Sequence, residues 1–467
     1  MIAPGSGHRR GALARASTGL ASLTVLGTGI LFMLGLQAHY LPLAKGGTYF
    51  QEHSSEDMMQ TVSLLDLRER PGETLVFLHI EPPLLDGLRA LLARLWPGSG
   101  RRPLVVRVDR GLYLIWTLVY ASMAALVFRW LTRLGSSTPV AALAALAFLL
   151  HPAAIFYATY LEGTLLTSFG VLWLCYSLWR VPARGATLSL CVAYLLLFFV
   201  RSIFQWPALL VLVAALFLTG APRRSLLIFA VTCAAVVGSF MAKQYLVFGS
   251  TATSSFAGSS CLQALGEEPA IGFSSDMDTT LGPLFPRLSG GRVPPVLARE
   301  TKIGGAHNFN RLADLREERE LARRCLHRLA SEPPWSTLRA LSENLAVFFE
   351  PSSRYLTAHV IVDRLPWRAP YDWTFSGARL ALLLATGVLL WLRGRSRSEI
   401  VRGLGLALPV LFVSAACVAF ERGENMRFKF FVEPVLYVFL VGEAARLARS
   451  HRRSGPTEGI GARGARP

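Results

Sequence analysis

The sequence predicts an all-α polytopic membrane protein of about ten transmembrane helices, with two long outer segments. Three observations lead there. Hydrophobic residues make up 52% of the 467, and the mean hydropathy is +0.41, too apolar for a soluble chain. The apolar residues fall in runs close to the roughly 20 residues needed to cross a hydrocarbon core of about 30 Å. Arginines gather on alternate sides of those runs, the asymmetry that keeps basic loops in the cytoplasm.

The runs occupy residues 18–41, 110–130, 139–158, 163–179, 187–204, 206–220, 226–248, 377–392, 403–420 and 430–446. A cytoplasmic N-terminus, 1–17, holds Arg9, Arg10 and Arg15. The inner loops then carry Arg129 and Arg133, Arg180 and Arg184, Arg223 and Arg224, and a cluster at Arg393, Arg395, Arg397 and Arg402. The basic tail, 447–467, completes the series, and an even number of spans puts both termini in the cytoplasm. The net charge of +18 is therefore mostly topology and not a nucleic-acid footprint. Four of the 48 basic residues are Lys, a bias that points to a GC-rich genome and a bacterial inner membrane. The first run lacks a small-residue cleavage site and is read as an anchor.

The bundle 18–248 includes the first outer loop, 44–108; a second outer segment, 249–375, precedes the C-terminal helices of 376–446. Two membrane-surface helices are expected in the first loop. One runs from Met58 to Arg68 on the spacing of Met58, Val62 and Leu65; the other runs from Leu84 to Leu95, with its leucines on one face. Pro82 and Pro83 stop one element and let the next begin. The second segment starts loop-like through Gly305, becomes a charged helix from about Asn310 to Ala330, and forms another from Pro333-Pro334 to Phe349. Cys261 and Cys325 are the two outer cysteines, either paired in an oxidising compartment or free. No internal repeat is visible, which disfavours a transporter built from duplicated halves.

Chemistry is expected where charges sit on the outer side. The acidic turn Glu52-His53-Ser54-Ser55-Glu56-Asp57 follows the first run. An ionised carboxylate there can take the proton of an attacking hydroxyl, an effect worth about 10²–10⁴ in rate. Transfer from a phosphate-linked donor needs no second acid, because phosphate leaves as an anion; it needs cations instead. Arg427 and Lys429 enter the last run from outside, against the positive-inside bias, and Arg201 ends the fifth run. His79 and Glu81 precede Pro82-Pro83, and His151 and Glu162 flank the third and fourth runs. No dedicated metal spacing, P-loop, dinucleotide fingerprint or nucleophile elbow is present. A divalent metal near Asp57 would draw on Glu52, Glu56 and Glu162.

On these residues the chain resembles the GT-C membrane glycosyltransferases, in particular the family 39-like branch of protein mannosyltransferases and lipid A aminoarabinose transferases. The matching features are Glu56-Asp57, the His79-Ile80-Glu81-Pro82-Pro83-Leu84 stretch, the His151-Pro152…Tyr157…Glu162 region, and Gly423-Glu424-Asn425-Met426-Arg427-Phe428-Lys429-Phe430. The resemblance implies a many-helix fold with a membrane-surface site and a polyprenyl-phosphate sugar as donor. It implies Asp57 or Glu56 as the base, with Arg427, Arg201 and Lys429 holding the lipid phosphate and His79, Glu81 and Glu162 shaping the pocket. Two departures stand out. Glu81 lies where the family tends to place a basic residue before Pro-Pro, and the acidic pair runs Glu-Asp instead of Asp-Glu.

The expected function is inverting transfer of a sugar to a glycan, lipid or protein acceptor on the outer face of the membrane. A transporter or lipid flippase, and a non-catalytic membrane scaffold, are the alternatives. The transporter would need polar residues inside its spans, which here are mostly clean of charge; the scaffold would be indifferent to Asp57→Asn.

Overall fold

The structure, a computed structural model, describes residues 6–40, 54–98, 100–267, 281–355, 361–393, 395–420 and 422–453. Glu52, His53 and the tail beyond residue 453 lie outside the described residues, as do the side chains of Arg9, Arg10, Arg15, Arg452 and Arg453. The described chain is all-helical, with no strand beyond an isolated bridge between Thr301 and His307.

Among the described residues, four helices are long and apolar enough to cross a membrane: Ser17–His39, Arg101–Arg133, Arg223–Phe248 and Arg397–Phe420. Two bent pairs raise the number to six if each is one broken span. Thr138–Leu149 meets Pro152–Thr159 at 54°, and Arg368–Thr374 meets Gly377–Leu392 at 58°. The expected run 139–158 is thus a kinked pair. Pro152 lacks the N–H that would continue the first helix, and His151 caps the second, its Nδ1 accepting from Ala153 N at 3.2 Å. Helices also occupy the remaining expected runs, but Ala186–Val200 and Trp206–Leu218 are short. At about 1.5 Å per residue they span roughly two thirds of a hydrocarbon core.

Arg101–Arg133 is the central pillar, burying Tyr113, Trp116, Tyr120 and Phe128 completely. Small residues let neighbours close on one another. A Cβ on Gly29 would lie 3.0 Å from that of Ala121, and one on Gly170 would lie 2.6 Å from Leu197. Close approach of this kind drives helix association where no hydrophobic force separates helix from lipid. Arg223–Phe248 ends cleanly because Gly249 takes the left-handed conformation, φ 71°.

The first outer loop departs from expectation. In place of one helix over Met58–Arg68 there are two short ones, Leu64–Glu69 and Pro71–Val76. Ser63 opens the first, accepting from Leu65 N, so the residues before it are turns, not helix. Leu84–Arg94 forms as expected, but its inward face holds Asp86, Arg89, Ala90 and Ala93, while Leu91 and Leu95 point out. Leu84, Leu85, Leu88 and Leu92 pack at the margin of the core, and the ionic face builds the interior. In the second segment Leu312–Ser331 and Pro334–Phe348 match the expected helices. Cys261 and Cys325 form a disulfide that ties Ala257–Ala264 to Leu312–Ser331.

Candidate active site

The sequence-predicted charges fall into three clusters. In the first, Glu56 is buried and fully committed. Its Oε2 accepts from Arg89 Nη2 at 2.7 Å and from Leu64 N at 3.0 Å, while Oε1 accepts from Ile303 N at 3.0 Å. Burial pushes its carboxyl above the usual range, opposed by Arg89 and the two backbone N–H groups. Arg89 continues to Asp86 Oδ1 at 2.5 Å and to the Val62 carbonyl at 2.7 Å. Ser54 and Ser55 donate to Asp109 at 2.7 and 2.6 Å, anchoring the acidic turn to the central pillar. Lys302, its ammonium pulled down to about 8 by burial, donates to the Met58 carbonyl and to Thr61. Asp57, next to this cluster, is exposed and lies against Gly304, whose added Cβ would sit 2.8 Å from Asp57 Oδ1.

The second cluster centres on Glu162. Its Oε1 accepts from both Arg201 Nη2 and Arg427 Nη2. Arg201 also takes Gln60 Oε1 at 2.8 Å and lies 3.5 Å from Glu81 Oε1. Arg427 reaches Glu424 Oε2 and Tyr355 Oη, both at 2.8 Å, and its guanidinium lies 4.7 Å from the Tyr355 ring centroid. Two guanidiniums and three carboxylates thus interlock at a point where four distant parts of the chain meet.

The third cluster centres on Lys429 and Glu433. Lys429 is fully buried, donating to the carbonyls of Glu350 at 2.5 Å and Phe375 at 3.2 Å and pairing with Glu433 at 3.2 Å. Glu433 in turn faces His151 at 3.4 Å and accepts from Ser352 at 2.7 Å. His79 is likewise an anchor. Its Nε2 donates to the Asn310 carbonyl at 3.1 Å, which leaves Nδ1 to accept from Ser255 at 3.0 Å. Burial lowers its pKa to about 4, keeping the ring neutral.

A cavity of about 740 Å³ opens beside the second cluster. Trp206 and Pro207 line it together with Phe412, Ala416 and Phe420 of the long Arg397–Phe420 helix. Gln60, Glu81, Arg201 and Glu424 supply polar wall, and Ser259, Ser260, Asp314, Glu317 and Glu318 line its other parts. The disulfide-linked helices therefore form one of its sides. Asp57, Glu56, Lys429, His79 and Glu162 do not line it, and Arg427 stands behind Glu424 and Phe428, which do. No group of three or more metal-ligating side chains occurs among the described residues.

No protein-family model, curated protein or solved structure matches the chain. The site therefore has to be read from its own chemistry.

Sequence reasoning placed Arg201, Glu81, Glu162 and Arg427 among the site residues, and the fold gathers them. It missed Tyr355, Gln60 and the Arg89–Asp86–Glu56 chain. Arg89 and Asp86 sit at i, i+3 in a leucine-rich helix, where such a pair reads as a solvated face. Nothing local marks it as the buried side.

Proposed function

We propose that this chain is a multi-pass membrane glycosyltransferase of GT-C type, moving a sugar from a polyprenyl-phosphate donor to an acceptor on the outer face of a bacterial inner membrane. The observation that supports this most is the junction of two wall types in one cavity. Aromatic and alanine side chains of the Arg397–Phe420 helix meet the Arg201–Glu81 pair. A polyprenyl-phosphate sugar has that same division, an apolar chain, an anionic link and a ring of hydroxyls. Arg201 and Arg422 are the cations that line the cavity, and Arg427 supports Arg201 through the shared Glu162 carboxylate. The wall is not uniformly basic: Asp314, Glu317 and Glu318 also line it, and carboxylates accept hydrogen bonds from sugar hydroxyls. In this reading the ten expected runs form the bundle, both termini are cytoplasmic, and the disulfide lies in the oxidising compartment.

In this mechanism an acceptor hydroxyl attacks the anomeric carbon while a carboxylate takes its proton. The glycosyl–phosphate C–O bond breaks, and its electron pair leaves with the polyprenyl phosphate. In-line attack inverts the anomeric carbon. Guanidinium next to the departing phosphate stabilises charge that develops in the transition state.

The test is sugar release from labelled polyprenyl-phosphate hexoses and pentoses by membranes carrying wild type, Arg201→Ala or Asp57→Asn, at matched protein level. Release that Arg201→Ala abolishes supports the transferase and names its donor. No release by the wild type from any donor, or release indifferent to Arg201→Ala, sends the assignment to the transporter or scaffold reading.

A further inference from the structure

Three carboxylates compete for the role of base, and geometry separates them. Glu56 has both oxygens engaged by Arg89, Leu64 and Ile303 and lies outside the cavity. Asp57 is exposed against the Gly304 turn and lies outside the cavity as well. Glu81 lines the cavity. Its Oε1 faces Arg201 at 3.5 Å, while its Oε2 is buried with no hydrogen-bond partner among the described residues. An unused acceptor oxygen costs free energy wherever it is buried, so at a cavity wall Oε2 is placed to accept from a donor in the cavity, a water or a ligand hydroxyl. Glu317 also lines the cavity, on the charged Leu312–Ser331 helix, and the three other wall carboxylates are held by protein groups. Asp314 is held by Arg311 and His307, Glu318 accepts from Ser259 N, and Glu424 holds Arg427 and Tyr355.

We infer that Glu81 is the catalytic base of this site, its Oε2 accepting the proton of the acceptor hydroxyl beside the Arg201 guanidinium. This rests on the transferase reading above. The new acceptor-to-sugar C–O bond forms as the glycosyl–phosphate C–O bond breaks; the proton ends on Glu81, and the phosphate leaves as the anion. The electrostatics agree. Burial raises the Glu81 pKa to about 7, with Arg201 and Arg427 pulling it down and Asp86 pushing it up. A base titrating near neutrality combines availability with proton affinity. The two following prolines, Pro82 and Pro83, have no N–H to offer the carboxylate locally.

The experiment has two arms on the full-length protein. In the first, transfer is followed against pH for wild type, Glu81→Gln, Glu81→Asp and Asp57→Asn. Glu81→Gln is expected to lower kcat by about 10²–10⁴-fold with little change in KM for donor, to abolish the acidic limb (the fall in rate as pH drops below neutrality), and to be partly rescued in Glu81→Asp. Transfer that survives Glu81→Gln with its pH profile intact, or that only Asp57→Asn abolishes, overturns the assignment. The second arm needs no turnover: the carboxylic-acid infrared band of the ligand-free protein is titrated. A band that disappears near neutral pH and is missing in Glu81→Gln supports the assignment. Its absence from the wild type overturns it even if sugar is released. A wild type that turns over no donor sinks the transferase reading and the base assignment with it, and the band then records only a protonatable carboxyl.

Discussion

Arg89 and Glu56 are paired in the interior, Nη2 to Oε2 at 2.7 Å, with neither side chain measurably open to solvent. The pair locks the acidic turn onto the Leu84–Arg94 helix, and Asp86 shares the guanidinium. Two charges were desolvated to make it, so its net contribution to stability is small, but removing one partner strands the other. Arg89→Leu is expected to lower unfolding free energy by about 3–5 kcal/mol, read as a lower Tm in detergent micelles. A fall of less than ~1 kcal/mol would show that Glu56 re-partners or protonates at little cost.

Glu162 binds two guanidiniums through one oxygen, so Arg201 and Arg427 are not independent. The double variant Arg201→Ala with Arg427→Ala is expected to deviate from the sum of the single changes by about 0.5–3 kcal/mol in unfolding free energy. Additivity within about 0.3 kcal/mol would mean that the shared carboxylate does not couple them.

The disulfide between Cys261 and Cys325 closes 64 residues of chain. By the chain-entropy relation, closure of a loop that long contributes about 4 kcal/mol. Reduction, or Cys325→Ser, should lower the Tm and loosen Ala257–Ala264 from Leu312–Ser331 ahead of the bundle. Identical gel mobility with and without reductant in freshly isolated membranes would place the cysteines in a reducing compartment instead.

Ala257–Ala264 packs so closely on Leu312–Ser331 that a Cβ at Gly258 would lie 2.2 Å from the Glu318 carbonyl oxygen and 2.5 Å from Ala322 N. Those are backbone atoms that cannot swing aside. Gly258→Ala should cost about 1–3 kcal/mol and distort the cavity side formed by Ser259 and Ser260. Unchanged Tm and unchanged donor binding would show that the two helices separate readily.

Stability against pH carries a signature of Glu81. Its folded pKa, about 7, lies above the ordinary 4.5. Relative to Glu81→Gln, the wild type is therefore favoured below about 4.5 and loses that advantage as pH rises through about 7. The Tm difference between the two proteins should narrow or reverse over that window; a constant difference would mean that Glu81 stays ionised in the fold.

The helical fold was legible because each long apolar run carries its own instruction, period and length together. Leu312–Ser331 and Pro334–Phe348 were also legible, since a charged helical period and a Pro-Pro start are local signals. The first outer loop was not. Which face of Leu84–Arg94 turns inward is decided by Glu56 and by the pillar at Asp109, neither of which a window of eleven residues contains. At the site, Arg201, Glu81 and Arg427 drew attention by being charged where lipid is near. That Lys429 is spent on two carbonyls while Arg201 reaches a cavity depends on contacts across 50 to 80 residues and more.

The interlock at Glu162 also sets an order of assembly. Arg201 comes 39 residues after Glu162 and can dock while the chain is still being made; Arg427 comes 265 residues after it. Until the last helix emerges, Glu162 neutralises a single guanidinium, and neither Glu424 nor Phe428 is in place to wall the cavity. A chain that stops short of Arg427 leaves this cluster incomplete however well the nine apolar runs before it have packed.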